Sequence, residues 1–195
     1  NDNGKKVNKM MVKGLDTVRS SFPTAMRDML SKVLEDILMD VPKDKLDKFI
    51  LNFKNSMKLM DVDKISIPTG VKNIKKYIDK DRKVFAPYKK GTPVHVKSAI
   101  AYNDLLKHYN QDKRYEKISN GSKIKWMYLK NNNLGLDTVA YKGYEDPPEI
   151  MKFIRDNINP SKLYKQALQK KIMMFYEALG WNEPTDATKT MERFF

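Results

Sequence analysis

The segment from Lys64 to Lys97 constrains this chain more than any other part of its sequence. It contains nine lysines and one arginine against two aspartates, so it carries +8 of the chain's formal net charge of +14. Prolines and glycines divide it into short pieces and predict an extended basic segment: Pro68, Gly70, Pro87, Gly91 and Pro93. A solvated basic face is one interpretation of such a segment. We favour a surface for nucleic acid, because binding a polyanion releases its counterions and stabilises a high density of cations.

The rest of the composition is that of a folded chain without covalent crosslinks. The 195 residues fit one domain of usual size, and 41% of them are hydrophobic, which is enough for a core. Cysteine is absent, which excludes disulfides, thiolate zinc sites and a cysteine nucleophile. No run reaches the length of a membrane span, and the first residues, NDNGKK, do not resemble a signal peptide. Because the chain starts without methionine, we expect a processed start or a piece of a longer chain.

Hydrophobic periodicity predicts an α+β fold that is mainly α. Pro23 and Pro42 each precede a run of apolar residues at helical spacing, which predicts an amphipathic helix pair. After the basic segment, the pattern predicts in order a helix over 94–109, a β-hairpin with strands 123–129 and 137–141, and a short helix from Pro147 to Ile154. A long C-terminal helix is expected over 161–179, with Leu179 on its apolar side and Gly180 ending it. The apolar residues at 7–12 predict a short N-terminal strand or arm.

A catalytic constellation is not recognisable in the sequence. The two histidines, His95 and His108, are too few for a histidine metal site, and neither lies in a nucleophile motif. The chain has no glycine-rich phosphate loop of a known spacing. Its acidic pairs do not stand between buried strands, as a two-metal site requires. These patterns favour a binding surface over intrinsic catalysis, and we predict no metal or other cofactor in this chain.

Small polar residues interleave with the lysines of the basic segment. Such residues, backbone N–H groups and cations hold phosphates without reading base sequence. No arginine cluster or recognition helix is present to read bases, so we expect largely sequence-independent binding to a duplex. The candidates that follow from the residues alone are Ser66, Thr69, Gly70, Lys72, Asn73, Lys76, Lys89, Lys90, Gly91 and Lys97.

Five blocks in order resemble the thumb and C-terminal end of family B DNA polymerases, in the branch of T-even-like bacteriophage replicative enzymes. They are KMMVKGLDTVRSSFPTAMRDMLSKVLEDIL, ISIPTGVKNIKKY, GTPVHVKSAIAYN, NGSKIKWMYLKNNNLGLDTVAY, and the end with ALGW and ATKTMERFF. The first block is similar to the strand that leads out of the family's palm, followed by a proline-started helix. The family's palm signatures, D-x-x-S-L-Y-P and Y-x-D-T-D, are absent from this chain.

The resemblance implies a domain division and two sets of binding residues. Residues 1–15 would be a strand or arm, with Val7–Leu15 pairing with the missing palm; 16–182 would be the thumb, and 183–195 a clamp-binding tail. Implied DNA contacts are Lys13, Arg19, Ser66, Thr69, Gly70, Lys72, Asn73, Lys75, Lys76, Lys89, Lys90, His95 and Lys97. Implied clamp contacts are Met191, Phe194 and Phe195. These two phenylalanines could instead pack on the core.

The implied function is the thumb part of a replicative DNA-directed DNA polymerase, either a split subunit or a fragment, in the cytoplasm of an infected bacterial host. Its partners would be primer–template duplex DNA, a sliding clamp, and a polymerase chain carrying exonuclease, palm and fingers, with Mg²⁺ in that palm. An alternative is a stand-alone duplex DNA-binding accessory protein, which would have to bury its first helix pair itself. A weaker alternative is an RNA-binding module in which Trp126 and tyrosines stack on bases.

Overall fold

The computed structural model describes residues 21–79 and 81–185 of the chain. This part of the chain begins with a pair of helices. Helix α1 spans Thr24–Leu38 and helix α2 spans Lys43–Ser56, followed by a 3₁₀ turn at Met57–Leu59. Pro23 and Pro42 occupy the N-cap positions of the two helices. The two helices contact each other, and their apolar faces are buried, as in Leu30 and Ile50. The predicted amphipathic helix pair is confirmed.

The basic segment is more structured than the sequence predicts. It begins inside a short helix, α3 (Val62–Ile65), and contains strand β1 (Ile67–Gly70), a 3₁₀ turn (Ile74–Tyr77) and the first turn of the next helix. The expected extended backbone is present at strand β1, and the first turn of the next helix agrees with the helix predicted from residue 94, but the 3₁₀ turn at Ile74–Tyr77 was not predicted. Four-residue elements are too short to give a readable hydrophobic period, so the sequence alone could not separate them from loop.

The sheet has three strands where the sequence predicts two. Strands β2 (Lys123–Tyr128) and β3 (Thr138–Tyr141) form the predicted hairpin. Strand β1 adds to β2 in antiparallel register, with Ile67 opposite Trp126 and Gly70 opposite Lys123, so the strand order is β1-β2-β3. The basic segment is thereby fixed to the edge of a sheet.

Helix α4, Val94–His108, lies at the centre of the described fold. It packs chiefly on β3 and also contacts β2, and nine of its residues are buried. Its small residues Ser98, Ala99 and Ala101 let the backbone approach the sheet closely, while Tyr102 and Leu105 fill the space beside them. The helix predicted over 94–109 is thus confirmed and is the main core element.

The C-terminal helices follow the prediction with one change. Helix α5 spans Pro148–Asn157, and a continuous helical run then consists of α6 (Pro160–Tyr164), a π-helical turn (Lys165–Gln169) and α7 (Lys170–Ala178). Gly180, with φ of +67°, ends the run as predicted. Leu179 is 42% exposed, so its expected place on the buried side is wrong. The chain turns at this point, and Trp181 folds back against the buried Tyr176, with ring centroids 5.4 Å apart.

The described residues form an α+β fold that is mainly helical, with one small antiparallel sheet. Within residues 21–79 and 81–185, no helix is both long enough and apolar enough to cross a bilayer.

Candidate nucleic-acid interface

Residues 70–77, which we name the basic turn, are held in shape by the loop that precedes β2. The backbone N–H of Val71 donates to the Ser122 carbonyl, and the N–H of Gly121 donates to the Val71 carbonyl, each at 2.9 Å. The Asn120 side chain accepts the N–H of Ile74 at 2.8 Å. These hydrogen bonds pair the backbone polar groups of the buried residues Val71 and Ile74. The conformation of the turn is therefore held by its backbone and not by its lysines.

The basic turn buries its apolar residues and exposes its cations. Val71 and Ile74 are almost fully buried, whereas Lys72, Lys75 and Lys76 are exposed. Asn73, also exposed, adopts the left-handed conformation with φ of +56°, which asparagine tolerates better than most residues. The turn therefore presents three lysines on a fixed backbone, which suits contact with a row of phosphates.

A further lysine joins this surface from β2. Strand pairing sets Lys123 opposite Gly70, and directly opposed residues of an antiparallel pair lie on the same face. Both residues are exposed, and nothing lies within 4 Å of the position a Cβ of Gly70 would occupy. A phosphate could therefore approach the Gly70 backbone closely beside Lys123. Sequence reasoning missed Lys123; the signal was the alternation of KIKW, in which lysines and apolar residues take opposite faces.

A second group of predicted contacts lies in the loop that precedes α4 and in the first turn of that helix. Lys90 and Gly91 are exposed, and Gly91 has φ of +79° in a turn. Lys89 forms an ion pair with Asp79 at 2.6 Å, which reduces its free charge. Lys97 is half-buried, with its Nζ 5.6 Å from the centre of the Tyr88 ring. This group is less cationic than the sequence indicates.

Arg82, counted in the charge of the basic segment, is not on the surface. Its side chain and that of Asp104 in α4 are 8% and 6% exposed. The Arg82 Nη1 donates to both Asp104 oxygens, at 2.9 and 2.7 Å, and its Nη2 donates to the Ala86 carbonyl at 2.6 Å. The pair fixes the loop after the basic turn to the central helix, so Arg82 is structural.

Ser66 and His95, both predicted to contact DNA, are less exposed than that role suggests. Ser66 is buried, and its hydroxyl hydrogen-bonds to the Val62 carbonyl and to the Tyr141 hydroxyl, so it does not reach the surface. His95 lies in the first turn of α4, where it is half-buried. Burial lowers the pKa of His95 below its usual value, because it disfavours the charged imidazolium. The lowered pKa makes His95 a weaker cation for phosphate than the exposed lysines.

Thr69 is half-buried in β1, opposite Ile124, on the sheet face away from Gly70. The other predicted residues, Lys13, Arg19, Met191, Phe194 and Phe195, lie outside the described residues, as does the arm Val7–Leu15. Trp126, proposed above as a base-stacking residue, is 7% exposed and packs edge-on against Tyr128. Its burial leaves no ring face for a base.

A buried carboxylate holds the end of the described chain. Asp47 of α2 accepts from the Tyr176 hydroxyl at 2.8 Å and from the Lys43 ammonium at 2.5 Å. The same carboxylate accepts the backbone N–H of Thr185 at 3.3 Å. The bond from Thr185, together with Trp181 on Tyr176, fixes the residues after α7 onto α2 and α7.

In the described ranges, no group of three or more His, Asp or Glu side chains is placed to hold a metal ion.

Fold and surface together define a basic α+β module with lysines displayed on a sheet-anchored turn. The family model described as DNA polymerase family B matches residues 1–179. The chain belongs to this family, whose substrate is DNA. No curated protein that was compared with the chain matches it.

Proposed function

We propose that this chain is the thumb part of a replicative family B DNA polymerase, either a split subunit or a fragment, and that it grips primer–template duplex DNA through its phosphates. One observation supports this most: a chain of a DNA polymerase family displays Lys72, Lys75, Lys76 and Lys123 on a backbone held by its own hydrogen bonds. Lys90 and the backbone at Gly70 and Gly91 extend the same surface. Lys13, Arg19, Asn73, Lys89 and Lys97 stay in the proposal as supporting contacts.

The proposed grip is independent of base sequence. Ammonium groups are point charges, which suit phosphates of any sequence. The one arginine of the basic segment is buried against Asp104 and does not reach a base edge. Affinity should therefore come from counterion release and fall steeply with salt.

We further propose the roles of the chain's ends and of its missing partner. Residues 1–15 join the thumb, 16–182, to the palm-bearing part of the polymerase, and the tail, 183–195, docks Met191, Phe194 and Phe195 on a sliding clamp. The anchoring of Thr185 on Asp47 supports a tail that departs from a fixed point. The palm-bearing part would hold Mg²⁺, which stabilises the attacking and leaving oxygens of nucleotidyl transfer.

The first helix pair favours a part of a larger assembly over a stand-alone accessory protein. An apolar groove of about 450 Å³ lies along α1 and α2 and is lined by Phe49, Phe53 and Met60 among others. In the described ranges these three side chains remain partly exposed. A stand-alone protein would gain from covering them, because each square ångström of buried apolar surface contributes about 25 cal/mol.

Fluorescence anisotropy with labelled duplexes of several sequences tests the proposed grip. Changing Lys72, Lys75, Lys76 and Lys123 together to Gln should weaken binding to all duplexes alike. It should also reduce the slope of log affinity against log salt by up to about 3.6, since each phosphate contact contributes about 0.9. The matched control changes four exposed lysines elsewhere, Lys45, Lys48, Lys165 and Lys170, and alters net charge equally.

The control should weaken binding far less and leave the salt slope nearly unchanged. Equal losses in the two quadruple variants would show that only net charge matters, and the basic turn would lose its assigned role. A loss confined to one duplex sequence would contradict the phosphate-based mechanism.

A further inference from the structure

The loop after the basic turn holds an aromatic residue in a strained conformation. Phe85 has φ of +59°, in the left-handed region that a bulky side chain rarely adopts. Backbone strain of this kind persists only where the surroundings hold it, and it is concentrated at functional sites.

The buried ion pair is what holds Phe85 in place. The Asp104 carboxylate accepts the backbone N–H of Phe85 at 3.0 Å while it also accepts from Arg82. Arg82 in turn donates to the carbonyl of Ala86, the residue after Phe85. The backbone on both sides of the Phe85 ring is thus tied to α4 through two side chains that are themselves buried.

The result is a row of three rings at the end of α4, which we name the aromatic platform: Phe85, His108 and Tyr109. The His108 ring centroid lies 5.4 Å from that of Phe85 and 4.9 Å from that of Tyr109. His108 is exposed, and the other two rings are partly exposed. The exposed cations Lys83 and Lys107 lie two residues before Phe85 and one residue before His108.

Proteins bind single-stranded nucleic acid with two components, exposed aromatic rings and nearby cations, and this surface has both. Unpaired bases stack on aromatic side chains, and the cations follow the phosphates. Duplex bases have their faces covered by neighbouring pairs, so a stacking surface does not serve a duplex. We propose that the aromatic platform binds unpaired bases of single-stranded DNA.

This site is separate from the proposed duplex grip. None of its three rings and neither of its flanking lysines belongs to the basic turn or to the group at Lys89–Lys97. The DNA substrate of a polymerase has a duplex part and an unpaired template strand. The basic turn would contact the duplex, and the aromatic platform would contact the unpaired strand. The proposal does not depend on duplex binding, and the two are tested with different ligands and different variants.

Histidine ring resonances give a direct test, because the chain has only two histidines. The full chain with isotope-labelled histidine is titrated with an oligothymidylate of about 12 nucleotides, and separately with an abasic oligonucleotide of equal length and charge. We expect the His108 ring protons to shift with the oligothymidylate and not with the abasic strand, while the His95 ring protons stay in place. Equal shifts with both strands would show a charge effect alone and would overturn the proposal.

Variants give the second arm of the test. His108→Ala and Tyr109→Ala should each weaken oligothymidylate binding by about fivefold or more, the loss expected for one stacked base. Duplex affinity should stay unchanged in both. The matched control is Tyr144→Ala, since Tyr144 is 62% exposed and has the Lys142 ammonium 5.1 Å from its ring centre.

The control should bind oligothymidylate as the unaltered chain does. His108 is exposed, so its replacement should preserve the fold, which circular dichroism can verify. Unchanged affinity in a folded His108→Ala chain would refute the aromatic platform as a site for bases. An equal loss in Tyr144→Ala would refute it too, because it would show that any exposed tyrosine beside a lysine contributes.

Discussion

Breaking the buried Arg82–Asp104 pair should destabilise the fold more than breaking an exposed ion pair of similar length. Its side chains are 8% and 6% exposed, and Asp104 also accepts the N–H of the strained Phe85. Asp104→Asn keeps the shape but leaves the Arg82 charge buried without a counter-charge. Breaking a buried pair in this way costs about 3–5 kcal/mol, because desolvation of the remaining ion is no longer compensated.

Urea unfolding followed by circular dichroism measures the loss, and an exposed ion pair in α5 supplies the control. Lys152 and Asp156 are 2.6 Å apart, against 2.7 Å for the buried pair, but their side chains are 74% and 55% exposed. Asp156→Asn should therefore cost at most about 0.5 kcal/mol. A double variant, Arg82→Met with Asp104→Asn, should be no less stable than Asp104→Asn alone, because it removes the orphaned charge.

Two results would refute this reasoning. If Asp104→Asn cost no more than Asp156→Asn, burial would not determine the contribution of the pair. If Arg82→Met made Asp104→Asn worse, the orphaned charge would not be the source of the cost.

Further predictions concern the sheet and the tail. Burial alone would raise the pKa of Asp63, but hydrogen bonds from Tyr141 and Lys125 outweigh it and hold that pKa below its usual value. The stability that Asp63 contributes is therefore complete above the pKa that its carboxyl has in the unfolded chain, and it is lost as the pH falls through the folded pKa. The free energies of unfolding in urea of the unaltered chain and of Asp63→Asn should therefore converge at acidic pH. A difference that stays constant with pH would contradict this. Removal of Phe194 and Phe195 should leave duplex binding intact and abolish clamp-stimulated synthesis, whereas loss of folding would show that they belong to the core.

Long helices and strands could be predicted from the sequence, because one face of each is buried and its apolar residues recur with the period of that element. The helices at Thr24–Leu38 and Val94–His108 and the hairpin of β2 and β3 each show a clear hydrophobic period. Strand β1 could not be predicted, because its four residues, IPTG, include a proline and a glycine and read as loop. Its place in the sheet comes from pairing with β2, which is more than 50 residues away in the chain.

For the candidate site, the sequence could not show which charged side chains are free to contact a ligand. Local sequence gives a count of lysines and arginines but not which of them find partners in the fold. Arg82 is buried by Asp104, and Lys89 is paired with Asp79. Conversely, Lys123 joins the basic turn only because strand pairing brings it opposite Gly70. Distant pairing therefore decides which members of the basic segment are available to a ligand.

The most direct test of the central proposal is to isolate this chain from its native source and identify its bound partners by mass. The proposal predicts a larger chain, in equal amount, that carries exonuclease and palm motifs together with the carboxylates that bind the metal ions of nucleotidyl transfer. A longer polypeptide that contains both this sequence and the palm would support the same role as a fragment. Recovery of this chain alone, as a monomer that binds duplex DNA, would contradict the thumb assignment and make it an accessory DNA-binding protein.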